Sequence, residues 1–139
     1  MIFALALASN LQQLQHFRLA YAQLAGLGNV EFSPIYQIPC RDGVGVDYWN
    51  SACLLRSDLS VEVVVEQLKI FEQQAGRTRP SHSITLDIDM IAWGKNLVEM
   101  QFNPKKLPLA SDVKIPLNDL WQHPKFSDEQ MIEYPVITM

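Results

Sequence analysis

The sequence predicts an α+β fold of order βαββαβ, a ferredoxin-like antiparallel sheet with its helices on one face and an irregular C-terminal appendage. Three observations carry this expectation. Ile2 to Leu7 is an unbroken apolar run, too short for a helix and suited to a covered strand. Val61, Val64, Val65, Leu68, Phe71 and Ala75 recur at helical spacing behind Ser60, a good N-cap residue, and stop at Gly76. Ile84 to Trp93 alternates in the manner of a strand and closes at Gly94.

The remaining elements fill in the order. Leu14, Phe17, Tyr21 and Leu24 mark a first helix running from about Leu11 to the stop at Gly26 and Gly28. Val30 to Tyr36 and Tyr48 to Arg56 are rich in β-branched and aromatic residues and read as strands two and three, joined by a long loop with Pro39, Gly43 and Gly45. From Lys95 onward the prolines are scattered and the periodicity weak. One short helix is expected there, near Asn118 to Trp121.

With 139 residues and 48% apolar content, one domain over 1–139 is expected, its core at about 1–94 and an extension at about 95–139. A formal charge of -4 argues against a general nucleic-acid binder, whose affinity comes from clustered Lys and Arg. No run approaches the roughly 20 apolar residues that span a bilayer. The apolar start has no basic residue ahead of it and is shorter than a secretory signal requires. A cytoplasmic protein, monomeric or weakly dimeric, is therefore expected. Cys40 and Cys53 stand apart from each other and from any zinc-spaced histidine, and are expected as free thiols.

The chemistry concentrates on the fourth predicted strand. Thr85, Asp87 and Asp89 point to one side of it, opposite Leu86, Ile88 and Met90. The two carboxylates are about 6.5 to 7 Å apart along the strand. Magnesium binds one or two carboxylates together with substrate phosphates, so the pair suits phosphoryl or pyrophosphoryl transfer. The plainer reading is the solvated face of an amphipathic strand. Arg77 and Arg79, just upstream, are cations that can clamp phosphates or serve as ordinary surface arginines. No G-x-x-x-x-G-K-[ST] phosphate loop is present. Tyr48 and Asn50 share a strand face and offer a stacking ring and a paired donor and acceptor for a planar heterocycle, with packing as the plain alternative. His16 is expected to be solvated, and His82 lies in the arginine-bearing loop.

Taken together these residues resemble the hydroxymethyl-dihydropterin pyrophosphokinases, which move a diphosphate from ATP to a pterin alcohol. The resemblance runs from about Ile2 to Gly94. It is strongest at Thr85-Leu86-Asp87-Ile88-Asp89 with Trp93-Gly94, and continues through Glu72, Gly76, Arg77 and Arg79, Ser9-Asn10, and Tyr48-Trp49-Asn50. It implies that Asp87 and Asp89 bind two magnesium ions bridging the phosphates of ATP, and that Arg77 and Arg79 act catalytically on those phosphates. It implies pterin contacts at Tyr48, Asn50 and Pro39, and nucleotide contacts at Glu72 and Thr85.

The chain also departs from the family pattern. Ala8 stands where the family has glycine and Ile84 where it has arginine, while Leu107-Pro108-Leu109-Ala110 replaces a V-P-H segment. Trp121 and Phe126 are the candidates for a second pterin-stacking ring. Two functions follow from the resemblance: a magnesium-dependent pyrophosphokinase, or an impaired relative that binds or senses a pterin. An RNA-recognition module shares the βαββαβ order but calls for basic charge where this chain carries Asp87 and Asp89.

Overall fold

The computed structural model describes residues 1–41, 43, 45–76, 84–127 and 132–139, among which seven strands form one sheet and three helices cover it. In chain order these are β1 (Ile2–Ser9), α1 (Gln13–Ala25), β2 (Asn29–Phe32), β3 (Ile35–Ile38), β4 (Tyr48–Arg56), α2 (Val61–Gln74), β5 (Asp87–Gly94), β6 (Met100–Phe102), α3 (Ser111–Asn118) and β7 (Val136–Ile137). Every pairing is antiparallel. The sheet order is β6-β5-β1-β4-β3-β7, with β2 also on β4. This is the predicted α+β, ferredoxin-like arrangement with additions at both edges.

Alternation along β1 divides its side chains between two cores. Phe3, Leu5 and Leu7 pack with Phe17, Ala20 and Leu24 of α1 and with Val64, Leu68 and Phe71 of α2. Leu86, Ile88 and Met90 join the same core, so α1 and α2 share one face, as expected. Ile2, Ala4 and Ala6 point the other way, against Leu109, Leu117, Trp121 and Phe126. Burying Leu109, Leu117 and Phe126 there stabilises by about 1.5–3 kcal/mol each. The segment after Gly94 is thus a cover for the second face of the sheet and more than an irregular appendage. Its helix lies at Ser111–Asn118, and the expected helical stretch ending at Trp121 falls in the turn beyond it, where the Trp121 N–H donates to the Leu117 carbonyl at 2.9 Å. Pro116 inside α3 is what makes the sequence look non-helical there.

Three local details bear on the site. The strand expected over Val30 to Tyr36 is broken at Ser33-Pro34, since Pro34 has no N–H to offer β4 and Ser33 turns its hydroxyl onto the Ala52 N–H at 2.8 Å. The strand expected from Ile84 begins only at Asp87, because Ile84 is bonded to Asn10 instead of to a strand neighbour. Within β5 the register moves from Leu5 opposite Met90 to Ala4 opposite Ala92, so Ile91 is an extra residue. Ile91 and Ala92 then both face the second core.

Helix α2 begins at its predicted cap, with Ser60 Oγ accepting from the Val63 N–H at 3.3 Å, and ends at Gly76 with φ of 78°. His16 is buried, against expectation, with Nδ1 2.8 Å from the Leu11 carbonyl. Among the described residues no helix is long and apolar enough to cross a membrane.

Candidate active site

The site is built across three adjacent strands at the Ser9 end of β1. Ala8 lies opposite Asn50 on one side and Asp87 on the other, and Ala6 lies opposite Ala52 and Asp89. Strands are spaced about 4.8 Å apart, so Asn50 faces Asp87 over a floor of small side chains roughly 10 Å wide. The result is a cleft of about 280 Å³ lined by Ala6, Ala8, Tyr48, Asn50, Asp87 and Asp89 among others. Asp112 and Val113 at the start of α3 line it from the far face of the sheet. Arg41, in the loop before β4, closes onto Asp112 as a two-pronged ion pair, Nε to Oδ2 at 2.7 Å and Nη2 to Oδ1 at 2.6 Å.

Asp87 and Asp89 also line a second cleft, of about 350 Å³, with Lys69, Glu72, Trp93, Lys105 and Lys106. Here Lys106 Nζ donates to Asp89 Oδ1 at 3.0 Å. Lys106 stands on a short 3-10 turn, Pro104–Lys106, capped by the Asn103 side chain, which accepts from the Lys105 N–H. Asn103 in turn donates its Nδ2 to the Met90 carbonyl and its backbone N–H to the Ile91 carbonyl, fixing the turn on the extra residue of β5. A wider groove of about 760 Å³ lies at the opposite end of the sheet, beside Met1, Gly28, Arg56 and Lys95. The carboxylates, Asn50 and Tyr48 all converge away from it.

Charge is unevenly compensated in this site. Burial, and then the neighbouring Asp87, push the Asp89 carboxyl up to about 6 against the pull of Lys106. The Arg41 guanidinium is raised chiefly by its bond to Asp112, with Asp89 and Asp87 adding to it. Two close carboxylates offer hard oxygens and an excess of negative charge, which suits a divalent cation such as magnesium. Among the described residues no group of three or more His, Cys, Asp or Glu gathers for a metal. Magnesium usually completes its shell with water and the phosphates of a substrate.

Buried polar atoms on the cleft side point the same way. Asn50 is buried and its Nδ2 has no hydrogen-bond partner among the described residues, which costs about 1–3 kcal/mol unless a ligand supplies one. The 7,8-dihydro-6-hydroxymethylpterin-pyrophosphokinase (HPPK) family model matches residues 4–133. The chain belongs to that family. No curated protein matches it. The HPPK family implies transfer of pyrophosphate from ATP to hydroxymethyldihydropterin in folate synthesis. The match runs well past Gly94, so the segment covering the second face lies within the HPPK span.

The fold brings together Tyr48, Asn50, Asp87 and Asp89, four of the residues singled out in the sequence. Glu72 reaches the second cleft, and its Oε2 accepts from the Ile88 N–H at 3.0 Å, so it also holds β5 in place. Thr85 precedes β5 with a buried Oγ1 that lacks a partner among the described residues. Pro39 is exposed, while its neighbours Cys40 and Arg41 line the first cleft. Arg77, Arg79 and His82 lie outside the described residues. Trp121 and Phe126, the candidates for a second stacking ring, are buried beside Phe102 and His123 in the second core, and neither lines the cleft of Tyr48 and Asn50. Sequence reasoning passed over Arg41, Asp112 and Lys106. Asn103-Pro104 is a cap signature that marks the turn carrying Lys106, but nothing local says that the turn faces Asp89.

Proposed function

We propose that this HPPK-family chain performs the family's transfer with magnesium, taking the pterin in the cleft of Tyr48 and Asn50 and the ATP triphosphate in the cleft of Lys69 and Lys106. One observation carries the reading: Asp87 and Asp89 line both clefts. Two substrates approaching from either side then meet at the same carboxylates, as in-line transfer requires.

In the reaction the pterin's hydroxymethyl oxygen bonds to the β-phosphorus of ATP. The oxygen bridging the α and β phosphates leaves with its electron pair on AMP, and the alcohol proton is released. The chain's residues orient and neutralise. Tyr48 presents its ring to the pterin, and the unpartnered Asn50 Nδ2 donates to an acceptor on the heterocycle. Asp87 and Asp89 would hold magnesium, two ions by the resemblance, which would offset the charge of the phosphates. Arg77 and Arg79, between the end of α2 and Ile84, clamp the transferred phosphates. Glu72 and Thr85 line the nucleotide side, and Pro39 belongs to the loop beside the pterin.

A second reading, a pterin-binding relative without transfer, draws support from Leu109. It stands in the segment that replaces V-P-H and is buried in the second core. Calorimetry with a non-hydrolysable ATP analogue, with and without magnesium and the pterin alcohol, followed by an AMP-release assay, separates the two. Magnesium-dependent nucleotide binding and AMP formation are expected. Pterin binding with no AMP selects the second reading, and binding of neither substrate defeats both.

A further inference from the structure

Lys106 donates to Asp89 of the carboxylate pair, and its position is built in three steps. The extra residue in β5 leaves the Met90 and Ile91 carbonyls facing outward, and Asn103 takes both, at 2.9 and 2.8 Å. The Asn103 side chain then caps the 3-10 turn that follows. The Lys106 backbone is thereby fixed beside β5, while its ammonium sits on a flexible four-carbon stem that is 37% exposed. The base is held and the charge can swing.

A divalent ion that ligates Asp89 Oδ1 competes directly with this ammonium for the same oxygen. Lys106 lines the cleft of Lys69, Glu72 and Lys105, and is not among the residues lining the cleft of Tyr48 and Asn50. An ammonium released from Asp89 therefore faces whatever polyanion fills the Lys69 side. There it joins Lys69 and Lys105, which line the same cleft, in meeting phosphate oxygens.

We propose that Lys106 is an exchange cation, paired with Asp89 in the free protein and with the phosphates of the donor once a divalent ion has taken Asp89. The phosphate half rests on the function proposed above, whereas the competition for Asp89 stands without it.

The proposal predicts effects of opposite sign from one substitution. In Lys106→Met, Mn²⁺ binding without nucleotide, followed by the electron paramagnetic resonance of the free ion, tightens by about tenfold, the size of one charge-assisted bond. Binding of the magnesium complex of a non-hydrolysable ATP analogue, by calorimetry, weakens by about tenfold or more. Lys95→Met removes the same charge at the opposite end of the sheet and moves both by less than about threefold. Lys106→Gln, which keeps a polar stem, repeats the Lys106→Met pattern and guards against a folding defect in that variant. Unchanged Mn²⁺ affinity in both Lys106 variants overturns the proposal, as does parallel weakening of both ligands, the mark of a structural role. Equal effects from Lys95→Met also overturn it. If the wild-type chain binds no nucleotide at any magnesium concentration, the functional reading and the phosphate half fail together, and the Mn²⁺ measurement still decides the competition at Asp89.

Discussion

The Ile84 N–H donates to Asn10 Oδ1 at 2.6 Å while the Asn10 N–H donates to the Ile84 carbonyl at 2.9 Å, a reciprocal pair joining residues 74 apart in sequence. It ties the end of β1 to the residue from which the chain leads into β5, three positions before Asp87. Asn10→Ala removes the side-chain acceptor of a partly buried amide and is expected to destabilise the fold by about 1–3 kcal/mol. Urea denaturation measures the loss, and faster hydrogen exchange at the Ile84 amide locates it. An unchanged midpoint defeats this account of the join.

The pH dependence of stability follows from Asp89. Its carboxyl titrates at about 6 in the folded chain against an ordinary value of 3.8, so the folded protein holds a proton that the unfolded chain releases between those values. The carboxylate therefore costs stability above about pH 6 and costs nothing below about pH 4. In metal-free buffer, Asp89→Asn is expected to exceed the wild type by on the order of 2 kcal/mol at pH 8. The advantage fades as pH falls from 6 to 4. Loss of the ion pair with Lys106 offsets part of the full shift, which keeps the expected gain near that figure. Thermal melts of both proteins across that range give the answer, and a gap that widens at low pH contradicts it.

Asp87→Ala and Asp89→Ala are each expected to abolish magnesium-dependent nucleotide binding while circular dichroism stays that of the wild type. Ordinary nucleotide affinity in both variants would remove these residues from the metal site.

Asn50 separates ligand binding from stability. Because its Nδ2 is buried without a partner among the described residues, Asn50→Leu deletes an unsatisfied group and shifts stability by less than about 1 kcal/mol. The same change is expected to weaken pterin binding by about tenfold or more, followed by pterin fluorescence. Strong destabilisation with intact pterin binding would make Asn50 a core residue and nothing else.

Gly94 closes β5 where the chain turns toward β6. A Cβ there would meet the Glu99 carbonyl oxygen at 2.2 Å, a backbone atom that cannot step aside cheaply. Gly94→Ala is expected to cost about 1–3 kcal/mol by overpacking. Chemical denaturation tests it.

The sequence by itself determined the parts that local physics can carry. The period-2 alternation from Leu86 to Met90 assigned those residues to the helical core and Asp87 and Asp89 to the opposite face, and the Ser60 cap and Gly76 stop bounded α2. Tyr48 and Asn50 were legible because spacing alone puts them on one side of β4. Tertiary structure decided what spacing cannot express. The extra residue at Ile91 resets the face of everything after it, and strand register, a long-range property, sets Asn50 opposite Ala8 and Ala8 opposite Asp87. The cover built from Leu109, Leu117, Trp121 and Phe126 has weak periodicity because its helix is short and carries Pro116, and its partners are Ala4, Ala52 and Ala92 on three separate strands. For the same reason Arg41 and Asp112, 71 residues apart, and Lys106 and Asp89, 17 apart, became pairs only when the second face closed over the sheet.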